Sequence, residues 1–440
     1  MKKTFQSFVF GCRVNEAERV KIDKELVEAG YTIDLTSPSF LIINTCAITG
    51  KAEREAKQLI NQLRKRHPEA KIVVTGCSAT LWIKYNTEDI KLVDIIVPNS
   101  AKSSLVNTLQ TLQIDAGPLA TSLATCEVAK PAQDKFRRSN RLLVKIQDGC
   151  QRYCSYCIVP YLRGMPQSQK IKDIIAYING FDPLPSEVIL SAINTEAFGI
   201  GTKESFIDLI KNVLSKTSIP RIGFGSIHPW SLSEEFISFY QRNLAKNPRF
   251  VQFFHVPIQS GSQQILGYMR REYKIGEVIA KLNRISSIQP HAFIATDVIV
   301  GYLGETDELF EESYTALVNS PISRFHVFRF SNRPHTAAYY QRKTLVEPTA
   351  AEKKYRSERL IALSKIKYQR FIETLIGKRF SALTIAQQGT GLRILLSNQL
   401  EGILPHKNGL PGQLLHVTMI GAKDGVVICG ESPYTRTISV

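Results

Sequence analysis

The chain has 440 residues, 43% of them hydrophobic, and a formal net charge of +17. That length allows two or three domains with proper cores, and no run approaches the roughly 18 apolar residues of a membrane helix. The surplus of positive charge favours a polyanionic partner over an isolated small-molecule reaction, the bland alternative being a merely basic surface. Residues 1–10 lack a long apolar segment with a small-residue cleavage site, so a cytoplasmic location is expected. In that compartment the eight cysteines are better suited to metal than to disulfides.

The first 110 residues alternate strand and helix signals. Residues 4–10 read as a strand running into Gly11-Cys12, and a helical pattern with Val20, Leu26 and Val27 stops at Gly30. The apolar run 40–43 ends at Asn44-Thr45-Cys46. A charged helix over 53–66 is closed by Pro68, and 71–74 ends at Thr75-Gly76-Cys77. A fourth unit has a strand at 93–97 and a helix after Asn99. Apolar strands alternating with helices predict a doubly wound parallel sheet. Cys12, Cys46 and Cys77 each follow a strand, which puts all three on the sheet edge where such folds bind ligands. One such cysteine would be a small core side chain. Three at equivalent positions, 34 and 31 residues apart, point to an iron-sulfur cluster with one iron left open.

Residues 112–138, with Pro118, Pro131 and Arg137-Arg138, have little periodicity and read as a linker in which Cys126 is idle. From Arg141 the alternation resumes. Strand candidates lie at 142–146, 187–191, 221–227, 250–256, 291–300 and 324–330, with helices such as 171–178, 206–214 and 275–285 between them. Six repeats predict a partial (β/α)6 barrel. Just after its first strand stands Asp148-Gly149-Cys150-Gln151-Arg152-Tyr153-Cys154-Ser155-Tyr156-Cys157. Three thiolates can hold three irons of a 4Fe-4S cube and leave the fourth vacant. A structural zinc ion wants four ligands and is the weaker reading. Active groups in barrels gather at the C-terminal strand ends, where the sequence places Asn194-Thr195-Glu196, Ser226-Ile227-His228, His255 with Gln259 and Ser260, and Asp297. Taken singly, His228 or His255 is more often structural, and Asp297 serves equally well as a strand brace.

Residues 346–377 form a helical pattern carrying Lys353, Lys354, Arg356, Arg359, Lys365, Lys367 and Arg370, for which a solvated face is the ordinary expectation. After Lys378-Arg379, short strand-like runs at 380–385, 392–396, 413–419 and 425–429 read as a small β-barrel with Cys429 in its core. A basic β module beside a basic helix suits contact with folded RNA, where phosphates supply much of the affinity.

The CxxxCxxC spacing of Cys150, Cys154 and Cys157, with Tyr156 before the last cysteine, resembles the radical S-adenosylmethionine (SAM) enzymes. The Gly11-Cys12-Arg13-Val14-Asn15, Asn44-Thr45-Cys46 and Thr75-Gly76-Cys77 elements resemble the N-terminal domain of the radical SAM methylthiotransferases. That family's HxPxQSGS, MxRxY and tDxIxGxxGET patterns are matched at 255–262, 269–273 and 296–306. The resemblance covers nearly the whole chain. It implies an α/β protein with a methylthiotransferase domain at 1–111, a radical SAM domain at 139–345, a basic connecting helix at 346–377 and a TRAM-like RNA-binding barrel at 378–440. It also implies two 4Fe-4S clusters: an auxiliary one on Cys12, Cys46 and Cys77, and a SAM-cleaving one on Cys150, Cys154 and Cys157. Tyr156, Asn194, Glu196, Ser226, His255, Gln259, Ser260 and Asp297 are the candidates to hold SAM.

In that family one SAM supplies a methyl to sulfur on the auxiliary cluster, and another, cleaved reductively, gives the radical that abstracts the substrate hydrogen. Such chemistry requires an electron donor and a sulfur donor, and an exposed base such as those of the anticodon stem-loop of tRNA. The Gly11-Cys12-Arg13-Val14-Asn15 signature is nearest to the enzymes acting on N6-threonylcarbamoyladenosine at tRNA position 37. The isopentenyladenosine enzymes and the ribosomal-protein aspartate enzymes are the alternatives within the family, and a non-catalytic iron-sulfur RNA-binding protein is the alternative outside it. A monomer away from membranes is expected. Ala192, Gln169, Tyr302-Leu303 and Ser78-Ala79-Thr80 depart from the family pattern, and all six ligand cysteines are spared.

Overall fold

The structure is a computed structural model describing residues 3–85, 91–112 and 140–431. Their contacts divide the chain into two units, and the cluster loop is shared between them. One unit holds 3–85 and 91–112 with Gly149–Gln151 and Cys157–Met165, and the other holds 140–148, Arg152–Tyr156 and 166–431. The predicted linker falls outside the described residues except for Leu112, and so does Cys126.

In the first unit, β1 (Thr4–Val9), α1 (Arg13–Glu28), β2 (Thr32–Ile33), β3 (Phe40–Thr45), α2 (Gly50–Arg66), β4 (Lys71–Gly76), α3 (Cys77–Tyr85), β5 (Ile95–Val97) and α4 (Leu105–Leu112) follow in order. The five strands form one parallel sheet in the order β2-β1-β3-β4-β5. Successive side chains leave a strand on opposite faces, and here both faces are covered. Ile42 and Val73 pack with Ile22, Leu26, Leu105 and Leu109 under α1 and α4. Leu41, Ile43, Ile72 and Val74 pack with Ile60, Leu63 and Trp82 under α2 and α3. This is why β3 and β4 carry the apolar runs 40–43 and 72–74. Sequence reasoning missed β2, a two-residue exposed edge, and the nine-residue α3.

In the second unit the six anticipated strands are present as β6 (Arg141–Asp148), β8 (Glu187–Ala192), β9 (Arg221–Phe224), β10 (Phe253–His255), β11 (Phe293–Val300) and β12 (Arg324–Arg329). They run parallel in two sheets, and a short antiparallel strand, β7 (Gln167–Ser168), edges β6. The sheets are joined where Ile222 bridges Phe250 and the Ile227 amide donates to His255 O at 2.9 Å. The result is an open α/β arc whose C-terminal strand ends share one rim. Helices that follow its strands include Ile171–Asn179, Phe206–Lys216, Ile275–Ile288 and Asp307–Val318.

A 24-residue helix, Ala350–Glu373, lies along β12 and leads to the C-terminal strands β13 (Arg379–Gln388), β14 (Gly391–Leu396), β15 (Glu401–Leu404), β16 (Leu414–Lys423) and β17 (Val426–Glu431). These close into a barrel in the order β13-β14-β15-β17-β16. The four-residue β15 was not anticipated. Cys429 is in the barrel core, as expected, and that core is continuous with Val251, Phe253, Phe293 and Ala295 of the arc. Arg221 and Glu187, the first residues of β9 and β8, are ion-paired at 2.9 Å. Arg221 also donates to the Leu395 and Leu396 carbonyls at 2.7 and 2.8 Å. The barrel thus caps the N-terminal strand ends and leaves the rim at the other end clear.

The solvated-face expectation for the 346–377 helix needs correction. Lys353 and Arg356 are buried, and Arg356 pairs with Glu305 at 3.0 Å and Asp307 at 2.8 Å. No helix among the described residues is long and apolar enough to cross a membrane.

Candidate cluster and cofactor sites

Three neighbouring strands of the first sheet deliver the three cysteines. Val9 is in register with Asn44, and Asn44 with Thr75; one step on, Thr45 is in register with Gly76. Cys46 follows Thr45 directly, Cys77 opens α3, and Cys12 caps the start of α1. Strand order reverses between β1 and β3, so Cys12 and Cys46 flank the switch point where doubly wound sheets open a crevice. The connecting loops are tied together by side-chain amides and hydroxyls. Asn15 Nδ2 donates to the Phe10 and Thr45 carbonyls, each at 2.9 Å, Asn44 Nδ2 to Asn15 O at 2.8 Å, and Ser78 Oγ to Cys46 O at 2.8 Å.

Burial pushes the Cys46 thiol up to about 12, and the neighbouring Cys77 and Cys12 push the same way. Burial also raises the Cys12 thiol, against the pull of Arg163. Thiols that repel each other's ionisation lie within electrostatic reach of one another. Such a set becomes a set of thiolates when a cationic centre sits among them. No three His, Cys, Asp or Glu side chains among the described residues surround a single ion. By ligand number alone, three thiols suit a cube, which takes one cysteine per iron and can leave a fourth iron open, better than a structural zinc ion, which wants four ligands.

Sequence reasoning missed the side chains behind these thiols. Arg163 ends the short helix α5 (Val159–Arg163), which belongs to the same unit. Its side chain is 1% exposed. Nε donates to Cys77 Sγ at 3.3 Å, Nη1 to Glu18 Oε1 at 2.9 Å, and Nη2 to Asn15 Oδ1 at 2.6 Å. Lys102 reaches the other Glu18 oxygen at 2.6 Å and Asn44 Oδ1 at 3.2 Å. Asn99 Nδ2 is 3.7 Å from Cys77 Sγ. Ile158 and Leu162 pack beside Cys77, Ala47 and Leu81.

Of the second cysteine set, Cys150 and Cys157 fall in the first unit and Cys154 in the second. The Cys150 amide donates to Gly164 O at 3.0 Å. Gly149, at φ +73°, is required there, because a Cβ would meet the Met165 carbonyl oxygen at 2.2 Å. In the second unit the 152–156 stretch is held by the 269–273 segment. The Ser155 amide donates to Met269 O at 3.0 Å, and Arg271 Nη1 reaches Tyr156 OH at 3.1 Å and the buried Cys154 Sγ at 3.7 Å.

The rim residues fall into distinct groups. Ser226 Oγ lies 2.8 Å from His255 Nδ1, and His255 Nε2 lies 3.1 Å from Asp297 Oδ1, so three of the candidates form one hydrogen-bonded chain. Asn194 is 1% exposed, yet neither its amide nitrogen nor its amide oxygen has a partner among the described residues. The same holds for Trp230 Nε1. Glu196 accepts from Arg152 Nε at 3.0 Å, and the guanidinium carbons of Arg152 and Arg271 each lie 4.6 Å from the Trp230 ring centroid. Gln259 has φ +70°, and its backbone amide donates to Asp297 O within β11 at 2.9 Å. Ser260 turns away into a buried contact with Ser313 at 3.1 Å. Burial, reinforced by Arg271, pushes the His228 imidazole down to about 3, which keeps it neutral. Buried polar groups are nearly always satisfied, and the side-chain amide of Asn194 and the Trp230 indole N–H are among the buried groups of the described residues that are not.

Residues 4–98 match the model of the uncharacterized protein family UPF0004, and residues 144–317 that of the radical SAM superfamily. The threonylcarbamoyladenosine tRNA methylthiotransferase MtaB of Chlamydia pneumoniae is 33% identical over 77% of this chain and 77% of its own length. The tRNA-2-methylthio-N(6)-dimethylallyladenosine synthase of Syntrophobacter fumaroxidans is 30% identical over 75% of this chain and 74% of its own. Among solved structures, the radical SAM methyltransferase TsrM of Kitasatospora setae, with cobalamin and a [4Fe-4S] cluster bound, superposes with a TM-score of 0.54. It covers 77% of each chain at 12% identity, a likeness of fold.

Proposed function

This chain belongs to the radical SAM methylthiotransferase family, and we propose that it inserts a methylthio group at C2 of N6-threonylcarbamoyladenosine at position 37 of tRNA. The observation that carries the reading is the trio Cys12, Cys46 and Cys77 at three adjacent strand ends, mutually coupled and backed by buried Arg163 and Lys102. Those thiols would hold one 4Fe-4S cluster, Cys150, Cys154 and Cys157 a second, and Asn194 with the neighbouring rim groups SAM. When bound, clusters and SAM supply the homolytic chemistry that an unactivated C–H bond demands and that no side-chain base offers at neutral pH.

The chain's own residues bind and orient. The Asn194 amide offers both a donor and an acceptor to a ligand carrying an ammonium and a carboxylate. Arg271 fixes Cys154 and Tyr156 from one guanidinium, and Arg152 holds Glu196 at the rim. The Ser226–His255–Asp297 chain fixes the imidazole between two partners, so its orientation does not depend on the ligand.

The net charge of +17, exposed Lys354, Lys365 and Arg370 on the long helix, and the C-terminal barrel support tRNA as partner, with the anticodon stem-loop presenting the base. A TRAM-like RNA-binding role for that barrel, the five-segment division of the chain and a cytoplasmic monomer belong to the same proposal. The similarity to the dimethylallyladenosine synthase supports a second reading, with isopentenyladenosine as substrate.

Nucleoside mass spectrometry of tRNA from a deletion strain decides between them. Loss of the 2-methylthio form of threonylcarbamoyladenosine, with its precursor accumulating, is expected. Loss of the isopentenyl counterpart would support the second reading, and an unchanged profile would overturn both.

A further inference from the structure

Resting on that cluster reading, we propose that Arg163 sets the reduction potential of the auxiliary cluster by donating a hydrogen bond to the Cys77 sulfur from a fully buried position. An arginine there needs a reason. Glu18 already has Lys102 at 2.6 Å, and its partnership with Arg163 uses only the terminal nitrogens. Nε is aimed at the Cys77 sulfur at 3.3 Å. A neutral thiol is a weak acceptor, and a charged donor gains from it chiefly when the sulfur carries negative charge, as a cluster ligand does.

The sulfurs are served unequally. The backbone amides of Asn15 and Ile48 act on Cys12 and Cys46, whereas Cys77 receives a guanidinium and the Asn99 amide. Hydrogen bonds to cluster sulfurs and nearby positive charge both favour the reduced, more negative state, so Arg163 raises the potential. Its helix also begins two residues after Cys157. One short segment therefore carries a ligand of the SAM-cleaving cluster and the group that tunes the auxiliary one.

The test uses the full-length chain carrying Cys150→Ala, Cys154→Ala and Cys157→Ala, so that all iron signal comes from Cys12, Cys46 and Cys77. Iron per chain and an EPR-monitored redox titration are read with Arg163 intact and as Arg163→Met, Arg163→Lys and Glu18→Gln. About four irons are expected in each. At a fixed potential Arg163→Met should lower the ratio of reduced to oxidised cluster about tenfold, equivalent to about 59 mV for one electron. Arg163→Lys should fall between the two, and Glu18→Gln, which removes a nearby negative charge, should move the ratio the other way.

Full iron with an unmoved ratio in Arg163→Met overturns the proposal. Should that variant bind no iron, the other two decide, and the proposal fails if neither shifts in its stated direction. A chain with Arg163 intact that takes up no iron overturns the cluster reading itself, a result distinct from full iron with an unmoved potential.

Discussion

Gly11 shows how closely a single residue can govern a ligand sulfur. Its φ is +93°, and a Cβ there would lie 2.4 Å from Cys46 Cβ and 2.5 Å from Cys46 Sγ, closer than atoms approach without displacement. A side chain at that position carries about 1–3 kcal/mol of backbone strain and drives Cys46 out of its place. Gly11→Ala should therefore reduce iron uptake by about four per chain, the content of one cube, while the second cluster still loads. Metal analysis after anaerobic reconstitution checks this, and uptake equal to the parent chain would refute it. The three cysteines were legible in the sequence because each comes just after a strand-like stretch, apolar at 40–43 and 72–74 and mixed at 4–10. Arg163, Glu18 and Lys102 were not, because their pairings join residues 86, 145 and 84 positions apart and none stands in a periodic pattern. The grouping of the cluster loop, with Cys154 in one unit and Cys150 and Cys157 in the other, leaves no trace in spacing either.

The long helix Ala350–Glu373 carries the corresponding lesson for elements. Its inward stripe is Lys353, Arg356, Ser357, Leu360, Leu363 and Ser364, which has helical periodicity but mostly polar members, so the buried face was concealed in the sequence. Polar residues occupy it because they clamp the turn after β11. Glu305 Oε2 accepts from the Gly301 amide at 2.6 Å and from Arg356 Nη1 at 3.0 Å, and the Lys353 stem packs against Gly301. Farther along, Lys367 donates to Val318 O and Ser320 O, at 2.8 and 2.7 Å, and so satisfies carbonyls where the 307–318 helix ends. Removing one partner of a buried pair leaves the other charge uncompensated, at a cost of about 3–5 kcal/mol. Arg356→Ala should lower unfolding stability by about 3 kcal/mol, whereas exposed Lys365→Ala should stay within about 0.5 kcal/mol of the parent. Chemical denaturation of the two variants tests the contrast, and equal effects would return the helix to the status of a solvated face.

At the scale of the molecule, the C-terminal barrel completes the core of the catalytic unit. Val251, Phe253, Phe293 and Ala295 share their apolar environment with Ile372, Leu375, Leu392, Ile394, Val417 and Met419. At the same seam Arg221 serves Glu187 and two carbonyls of β14, and Arg141 joins Glu187 at its other oxygen. Short strand-like runs separated by Gly, Asn and Asp made the barrel itself legible. Its docking was not legible, because the partners lie 174 and 175 residues apart along the chain. Exposing one buried Val or Phe costs about 1.5–3 kcal/mol, so uncovering two phenylalanines and a valine costs about 4.5–9 kcal/mol, comparable with the whole stability of a typical domain. A chain ending at Gly377 should consequently aggregate or fail to load iron, as read by size-exclusion chromatography and metal content. A soluble, monodisperse truncation with the parent's iron content would show the barrel to be a detachable module. Under the expected outcome, loss of tRNA binding on truncation would say nothing about RNA contact. The proposed tRNA-contacting face is then probed by reversing the charge of exposed Lys365 and Arg370 in the intact chain, where the expected weakening of tRNA binding should shrink as salt rises.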